Sequence, residues 1–196
     1  MSELPIYKRI LIRVVRIFTG RRGVYCRMGK KNRVMEGTIL YEACTIGNNN
    51  YFAPYTLAYN AVIGNYCSIG PGCRLGLADH DIHAVSTMAG INNGESDMEL
   101  FNYQNPTMIG SDVWLGANVV VKQGVTIGDG AVVGANAVVT HDIPAYAVAV
   151  GIPARVVSYR FQEQDREILL ETGWFNLDKD EAKECVRTVR SKLLRE

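Results

Sequence analysis

Two of the three histidines in this chain lie three residues apart, in the segment LADHDIHAVST that holds His80 and His83. Histidine has an ordinary pKa of about 6.5, so its imidazole can accept a proton near neutral pH. An imidazole beside a substrate hydroxyl can act as a general base and accelerate attack on an acyl group by roughly 10²–10⁴-fold. The segment is therefore a candidate for catalysis, with Asp79 and Asp81 available to orient a ring, although such residues in a loop are also common as plain surface residues.

Composition excludes several other classes of chemistry. The five cysteines are odd in number and form no CxxC pair or other metal-ligand spacing, which favours reduced thiols in a cytosolic protein with no bound metal. No apolar run in the sequence reaches the roughly 18 residues of a membrane span, and the arginine-interrupted N-terminus is unlike a secretory signal. A formal net charge of +1 gives no reason to expect nucleic acid as a partner.

A six-residue repeat surrounds the histidine segment. Aliphatic residues recur at intervals of six, with one earlier outlier, and Gly follows eight of these ten positions: Ile46, Ile63, Ile69, Leu75, Ile109, Leu115, Val121, Ile127, Val133 and Val139. This period fits neither an α-helix nor hairpins, and it predicts a coil with three short flat faces whose inward aliphatic residues stack from coil to coil. A small or β-branched residue lies two positions before each aliphatic residue. Cys44, Cys67 and Cys73 occupy that slot, so we expect them to be buried small residues.

Residues 109–161, and above all the motifs DVWLG, IGDGAVVGANAVVT and GIPARVV, resemble the hexapeptide-repeat acyltransferases. The resemblance extends over about residues 40–175 and is nearest to the branch of xenobiotic and polysaccharide O-acetyltransferases. It implies a mainly β protein: a left-handed parallel β-helix with a long inserted loop and a C-terminal helical tail, assembled as a homotrimer. It also implies that acetyl-CoA binds as co-substrate in the groove between neighbouring coils. Only the resemblance supports the left-handed sense, because crossover connections in sheets are usually right-handed.

The repeat stops between residues 77 and 106, where the family carries an extended loop that covers the active site of an adjacent subunit. The spacing of HDIHAVST matches the polysaccharide-type segment and aligns His80 with the family's catalytic histidine. The segment departs from the family at Asp81, where proline is usual, and at His83, where Asp or Asn is usual. The resemblance thus implies that His80 is the general base and that no acyl-enzyme on a cysteine is required.

For acetyl-CoA, the resemblance assigns roles position by position. Ala117, Ala135 and Thr140 match positions that line the pantetheine groove, and Arg155 in GIPARVV matches a cation that meets a CoA phosphate. Trp114 matches the aromatic residue of the family's VWIG motif, which walls the site. The turns of a tight coil also require small residues, so the repeat alone leaves the roles of the two alanines open.

Charge and repeat together divide the chain into a basic N-terminal segment (1–39), a β-helix (40–157) with its loop (77–106), and a helical tail (158–196). Residues 1–33 hold ten Lys/Arg and a single acid. We expect an amphipathic helix in this segment, which either packs on the protein or lies on an anionic membrane surface. In the tail, Gly173 ends a predicted helix over 162–172, and Asp178 with Glu181 forms a capping-box pair before a second helix.

These features favour a cytoplasmic enzyme that transfers acetyl from acetyl-CoA to a saccharide hydroxyl, free or lipid-linked, in surface polysaccharide biosynthesis. Acetylation of chloramphenicol or a streptogramin uses the same chemistry, as does N-acetylation of an amino sugar. Zinc hydratases of the same fold need three histidines at a subunit interface, and the spacing of His80, His83 and His141 does not fit them. A non-catalytic scaffold is a further alternative, against which the histidine-bearing loop speaks.

Overall fold

The computed structural model describes residues 7, 14, 23–80, 82–88, 91 and 105–193. The predicted N-terminal helix, Asp81 and most of the loop beyond residue 88 lie outside the described residues. The described strands are β1 (Arg27–Met28), β2 (Arg33–Val34), β3 (Ile39–Leu40), β4 (Thr45–Ile46), β5 (Tyr51–Phe52), β6 (Leu57–Ala58), β7 (Ala61–Ile63), β8 (Ser68–Ile69), β9 (Arg74–Leu77), β10 (Thr107–Ile109), β11 (Trp114–Leu115), β12 (Val120–Lys122), β13 (Thr126–Ile127), β14 (Val132–Val133), β15 (Val138–Val139), β16 (Ala147–Gly151) and β17 (Ala154–Tyr159). They are followed by α1 (Glu163–Thr172), a 3₁₀ helix (Trp174–Asn176) and α2 (Lys179–Leu193).

Three sheets form the three faces of one continuous coil. The first face is β1-β4-β7-β10-β13, the second is β2-β5-β8-β11-β14-β16-β17, and the third is β3-β6-β9-β12-β15. Neighbouring strands in each face come from successive coils and pair in parallel, except for the antiparallel pair β16–β17. The predicted parallel β-helix is therefore confirmed, with one hexapeptide supplying each strand and its turn.

Three corners join the faces, and their residues position the candidate site. The first corner joins the first face to the second (residues 29–32, 47–50, 64–67, 110–113, 128–131 and 144–146). The second corner joins the second face to the third (35–38, 53–56, 70–73, 116–119 and 134–137). The third corner joins the third face to the first (41–44, 59–60, 78–80 with 105–106, 123–125 and 140–142).

The core is the stack of inward residues that the repeat predicts. All ten predicted inward positions are buried, each with at most 3% of its surface exposed. Ile109 illustrates the stacking, since it pairs in register with Ile63 on one side and Ile127 on the other. Burial of these aliphatic side chains, at about 25 cal/mol per Å² of apolar surface, is the main term that stabilises the coil.

The β-helix begins before residue 40, which differs from the boundary expected from the repeat. Inward positions of the early coils are filled by Met28, Val34, Leu40, Phe52 and Ala58. Gly follows only Met28 among these five residues, so the aliphatic–Gly pair that reveals the repeat elsewhere is missing here.

Ile46 is an outlier in the repeat because its coil is one residue short. It pairs with Ile63, 17 positions later, whereas Ile109 and Ile127 are 18 positions apart. The coil loses this residue at the third corner, where only Tyr59 and Asn60 separate β6 from β7.

The tail follows its predicted signals, although β17 extends to Tyr159 and α1 begins only at Glu163. Gly173 ends α1 in the left-handed conformation with φ 54°. The backbone N–H of Asp178 donates to the Glu181 carboxylate at 3.3 Å, and the Glu181 N–H donates to the Asp178 carboxylate at 3.1 Å. The predicted capping box is thus confirmed.

Candidate active site

The histidine-bearing loop leaves the β-helix at the third corner, where the chain on either side of the loop lies against one backbone carbonyl. Gly76 has φ +68°, and a Cβ placed on it would lie 2.4 Å from the carbonyl oxygen of Asn60. At the other end of the loop, the backbone N–H of Thr107 donates to the same oxygen at 3.0 Å. The loop therefore begins and ends at one point of the β-helix, beside the carbonyl of Asn60.

His80 lies three residues beyond β9 with its side chain exposed. The preceding Asp79 accepts an ion pair from Lys122 Nζ at 2.8 Å. This contact ties the start of the loop to the next coil, and it gives Asp79 a partner other than an imidazole. His83 is also exposed, whereas Asp81 lies outside the described residues, so its expected role stays a prediction.

A ladder of tyrosines lies above the loop at the same corner. Tyr25, Tyr41 and Tyr59 each follow an inward residue of the third face. Their backbone N–H groups donate to the carbonyl oxygens of Leu40, Ala58 and Leu75, respectively, in the next coil. The rings of Tyr41 and Tyr59 lie 4.7 Å apart, and Tyr25 and Tyr41 are 38% and 36% exposed. The six-residue repeat alone does not distinguish these tyrosines, although each of them directly follows an inward residue in the sequence.

Ala117 and Ala135, which the family resemblance assigns to the pantetheine groove, lie in successive coils at the second corner. This corner is thin, as the first corner is, because the coils approach each other through glycine. A Cβ on Gly116 would lie 2.5 Å from the backbone nitrogen of Ala135, and a Cβ on Gly70 would lie 2.6 Å from the carbonyl carbon of Gly116. The two alanines therefore border a narrow strip of backbone that runs parallel to the axis of the β-helix.

Arg155 lies at the C-terminal end of this strip. Arg155 pairs with Val150 across the β16–β17 hairpin. Val150 in turn lies against Gly134 at the second corner, since a Cβ placed on Gly134 would lie 2.8 Å from the Val150 side chain. The residue is exposed, and one Nη of its guanidinium donates to the Ala154 carbonyl at 2.8 Å. Ala117, Ala135 and Arg155 thus share one line along the second corner.

Thr140 and Trp114 lie away from this line. Thr140 is at the third corner, one coil beyond Lys122, and its hydroxyl is 2.9 Å from Nδ1 of His141. Trp114 stands on the second face with 57% of its surface exposed, above a cleft of about 440 Å³ that Tyr66 also lines. Within one chain, His80 and Thr140 share the third corner, and the third face separates them from the line of Ala117, Ala135 and Arg155.

The internal cysteines have no access to substrate. Cys67 and Cys73 are buried, and their thiols donate to the carbonyl oxygens of Gly110 at 3.0 Å and Gly116 at 3.2 Å. Burial raises the pKa of the Cys67 thiol to about 12, so it is protonated and a poor nucleophile at neutral pH. The expectation that these residues are buried small side chains is confirmed.

No described helix is long and apolar enough to cross a membrane. No three His, Cys, Asp or Glu side chains in the described ranges come together as metal ligands would.

Residues 106–141 match the bacterial transferase hexapeptide family (six repeats). A chloramphenicol acetyltransferase from Klebsiella aerogenes is 32% identical over 123 residues, 59% of each chain. A protein from Lysinibacillus sphaericus named as a probable macrolide acetyltransferase is 32% identical over 61% of this chain and 71% of its own. The galactoside O-acetyltransferase of Escherichia coli K12 is 38% identical over 55% of this chain and 50% of its own. This chain spans 59–64% of the length of the chloramphenicol acetyltransferases that it matches.

Among solved structures, a hexapeptide-repeat acetyltransferase from Vibrio cholerae, determined with acetyl coenzyme A, has 25% identity and a TM-score of 0.55. The match covers 82% of this chain and 80% of the Vibrio protein. It confirms the left-handed sense of the β-helix, which strand pairing alone does not fix. The repeat, the fold and these similarities together show that the chain belongs to the hexapeptide-repeat transferase family.

Proposed function

We propose that this protein is an acetyl-CoA-dependent O-acetyltransferase that acts on a saccharide hydroxyl in surface polysaccharide biosynthesis. The observation that carries the proposal is the line of Ala117, Ala135 and Arg155 along the thin second corner. Such a strip, with small side chains and a cation at one end, suits a long, slender ligand with a phosphorylated end. The acetyl-CoA in the Vibrio relative supports this assignment.

In this proposal the chain's own residues hold acetyl-CoA by shape and charge. The alanines leave room for the pantetheine arm to lie close to the backbone, and Arg155 meets a phosphate through N–H groups that its bond to Ala154 leaves available. Trp114 walls the site from the second face. Thr140 lies at the opposite edge of the third face, so its expected part in the groove requires a neighbouring chain.

His80 supplies the general base. Its neutral imidazole takes the proton of the acceptor hydroxyl while the oxygen attacks the thioester carbonyl. The resulting tetrahedral intermediate collapses with loss of the CoA thiolate, to which the imidazolium returns the proton. No covalent enzyme intermediate forms, in keeping with the protonated, buried thiol of Cys67.

The proposed assembly is a homotrimer. His80 and the line of Ala117, Ala135 and Arg155 occupy opposite edges of the third face, so one chain cannot bring the base to a thioester bound at its own second corner. If the third corner of one chain faces the second corner of its neighbour, the base and the donor meet in the groove between them. A ring of three such heterologous contacts closes on itself.

The tyrosine ladder beside the loop supports an acceptor with rings or an extended chain. Aromatic faces of Tyr25, Tyr41 and Tyr59 line the approach to the loop, and each phenol adds a hydrogen-bonding group to an apolar surface. The named substrate of the Escherichia coli relative is a galactoside, which favours the saccharide. The second candidate is a xenobiotic acceptor, favoured by the named substrates of the chloramphenicol and macrolide relatives.

The test measures CoA release from acetyl-CoA with a galactoside, an amino sugar and chloramphenicol as separate acceptors. We expect turnover with the galactoside and a loss of roughly 10²–10⁴-fold in kcat for His80→Ala. Cys67→Ala is the matched control and should retain turnover, and His83→Ala controls for removal of a loop imidazole.

Each contrary outcome has a defined meaning. Activity lost in Cys67→Ala but kept in His80→Ala would replace the general base with thiol chemistry. Turnover with chloramphenicol alone would show that the acceptor is a xenobiotic and not a saccharide. A monomer in light scattering that is fully active would refute the shared groove.

A further inference from the structure

The first coil of the β-helix carries a patch of positive charge around its first corner. Four cationic side chains lie within seven positions there, and all of them are exposed: Arg27 on the first face, Lys30 and Lys31 at the corner, and Arg33 on the second face. The two acids of this coil, Glu36 and Glu42, lie at the second and third corners. We call the four cations the basic end.

No ion pair between described residues includes a side chain of the basic end. Asp178 of the tail lines the same cleft as Lys30 and Lys31. Its carboxylate accepts backbone N–H groups at the start of α2, at 3.0 and 3.1 Å. The neighbouring Asp180 is paired with Lys183 at 2.8 Å. One carboxylate held in a helix cap does not balance four cations, so the basic end keeps a net positive charge.

Charge is distributed unevenly along the axis of the β-helix. Residues 1–33 hold ten Lys/Arg and one acid, residues 43–73 hold no charged side chain, and residues 74–160 hold four Lys/Arg and eight acids. The chain therefore has a positive N-terminal end, a neutral middle and later coils of the opposite sign. An anionic surface attracts the first of these and repels the last, which fixes the orientation in which the protein docks.

Exposed apolar side chains accompany the basic end. Tyr25 and Met35 flank it, with 38% and 40% of their surfaces exposed. Val14, in the predicted N-terminal helix, is helical and 41% exposed. Cations mixed with exposed apolar side chains suit the headgroup layer of an anionic bilayer, whereas binding to nucleic acid depends mainly on charge. The combination favours a membrane as the partner.

The tyrosine ladder connects the basic end to the candidate base. Tyr25 lies at the N-terminal end of the β-helix, and Tyr41 and Tyr59 follow in the next two coils. The loop that holds His80 leaves from the coil after Tyr59, and the rings of Tyr41 and Tyr59 are 4.7 Å apart. An acceptor that reaches His80 along these rings therefore comes from the basic end.

We propose that the basic end docks on a bilayer containing anionic phospholipids, and that the acceptor is a saccharide carried by a lipid of that bilayer. The saccharide extends from the membrane along the tyrosine ladder towards His80. In the proposed trimer, three parallel coils present their basic ends on the same side, so the three contacts act together. The identity of the acceptor rests on the proposed function, whereas the docking does not.

Docking is tested by flotation of the full chain with two kinds of vesicle: phosphatidylcholine alone, and equal parts of phosphatidylcholine and phosphatidylglycerol. We expect flotation with the anionic vesicles only. We also expect release by salt, because screening shortens the range of the charges from about 30 Å at 0.01 M to about 3 Å at 1 M.

Charge variants locate the docking surface. Each cation near an anionic surface contributes about fivefold to membrane affinity, so Lys30→Gln with Lys31→Gln should weaken binding about 25-fold or more. Arg27→Gln alone should weaken it about fivefold. Arg187→Gln with Lys192→Gln is the matched control, because it removes the same charge from exposed positions of α2, and it should bind like the parent protein.

Absence of flotation with anionic vesicles would overturn the docking proposal. Equal loss in the control pair would show that only total charge matters and that the basic end is not the contact. Binding to an oligonucleotide in place of the vesicles would identify nucleic acid as the partner and would refute the membrane.

The acceptor is tested by CoA release with methyl galactoside in solution and with a galactosyl diacylglycerol in the anionic vesicles. We expect faster turnover of the lipid-borne galactoside. Lys30→Gln with Lys31→Gln should remove that advantage and leave turnover of methyl galactoside unchanged. Equal turnover of both acceptors by the parent protein would refute the lipid-borne acceptor. Turnover of neither would refute the proposed function, while the flotation result would still decide the docking.

Discussion

Replacing Leu115 by alanine should destabilise the protein far more than replacing its neighbour Trp114, although tryptophan is the larger side chain. Leu115 is fully buried and pairs in register with Ile69 and Val133 in the inward stack. Trp114 is the next residue on the same strand, points to the opposite side of the sheet, and is 57% exposed. The pair therefore tests the inward–outward phase of the repeat within two adjacent residues.

The magnitude follows from the packing around Leu115. Removal of about three buried carbon atoms, at about 0.8 kcal/mol each, costs about 2.4 kcal/mol in transfer free energy. The coils cannot close the resulting space, because the Gly70 and Gly116 backbones at the adjoining corner are already in contact. The cavity term then raises the total to about 3–5 kcal/mol. For Trp114→Ala we expect a loss below about 1 kcal/mol, as is usual for exposed positions.

The assay is urea and thermal unfolding followed by circular dichroism, with every variant at one protein concentration because assembly shifts apparent stability. For a chain of this size, each kcal/mol corresponds to about 2–4 °C in Tm. Leu115→Ala should therefore melt roughly 6–20 °C below the parent protein, and Trp114→Ala within about 4 °C of it. Equal losses for both variants would show that the assigned phase is wrong, and the placement of the second corner would be wrong with it.

Three further outcomes are expected. The Cβ that Gly76→Ala introduces would lie 2.4 Å from the Asn60 carbonyl oxygen, so this variant should lose at least about 1 kcal/mol of stability in urea unfolding. It should also reduce the rate of acetyl transfer more than the affinity for acetyl-CoA. An unchanged rate of transfer would show that the conformation of the loop does not affect catalysis. Burial raises the pKa of Asp112, so the folded chain binds this proton more tightly than the unfolded chain. Stability should accordingly rise as pH falls through that raised pKa, and Asp112→Asn should remove this part of the slope. Because burial raises the pKa of Cys67 to about 12, iodoacetamide should label the half-buried Cys185 in the native protein, with Cys67 labelled only after unfolding, as read by mass spectrometry.

Much of the scaffold could be predicted because a stacked coil repeats its physical requirements at fixed intervals. Each inward position needs an aliphatic residue and each tight corner favours Gly, so the burial of residues such as Ile109 and Val133 can be predicted from the sequence. The coil before residue 40 was not predicted, because Met28 and Val34 fill its inward positions without forming an aliphatic–Gly pair. The short coil after Ile46 was not predicted, because the loss of one residue at a corner changes the spacing in the sequence but leaves the inward packing unchanged.

The chemistry of the candidate site was less accessible from sequence, because it depends on contacts between coils. The family resemblance indicated His80, but the ion pair of Asp79 with Lys122 joins residues 43 positions apart, and no local pattern signals it. The space between the helical tail and the first corner depends on how α1 and α2 pack against that corner. In the sequence Tyr146 looks like one more turn residue, and only the fold shows that its side chain is buried.

The way in which the loop joins the third corner bears on how such proteins diversify. β7 and β10 pair in register across the insertion, as if the residues between Leu77 and Asn105 were absent, so the length of that segment places no demand on the stack. Each doubling of the length of a flexible segment raises the free energy of closing it by only about 0.6 kcal/mol. If the proposed function is correct, grafting a foreign segment between these two anchor points should exchange one acceptor preference for another and leave the proposed acetyl-CoA groove unchanged.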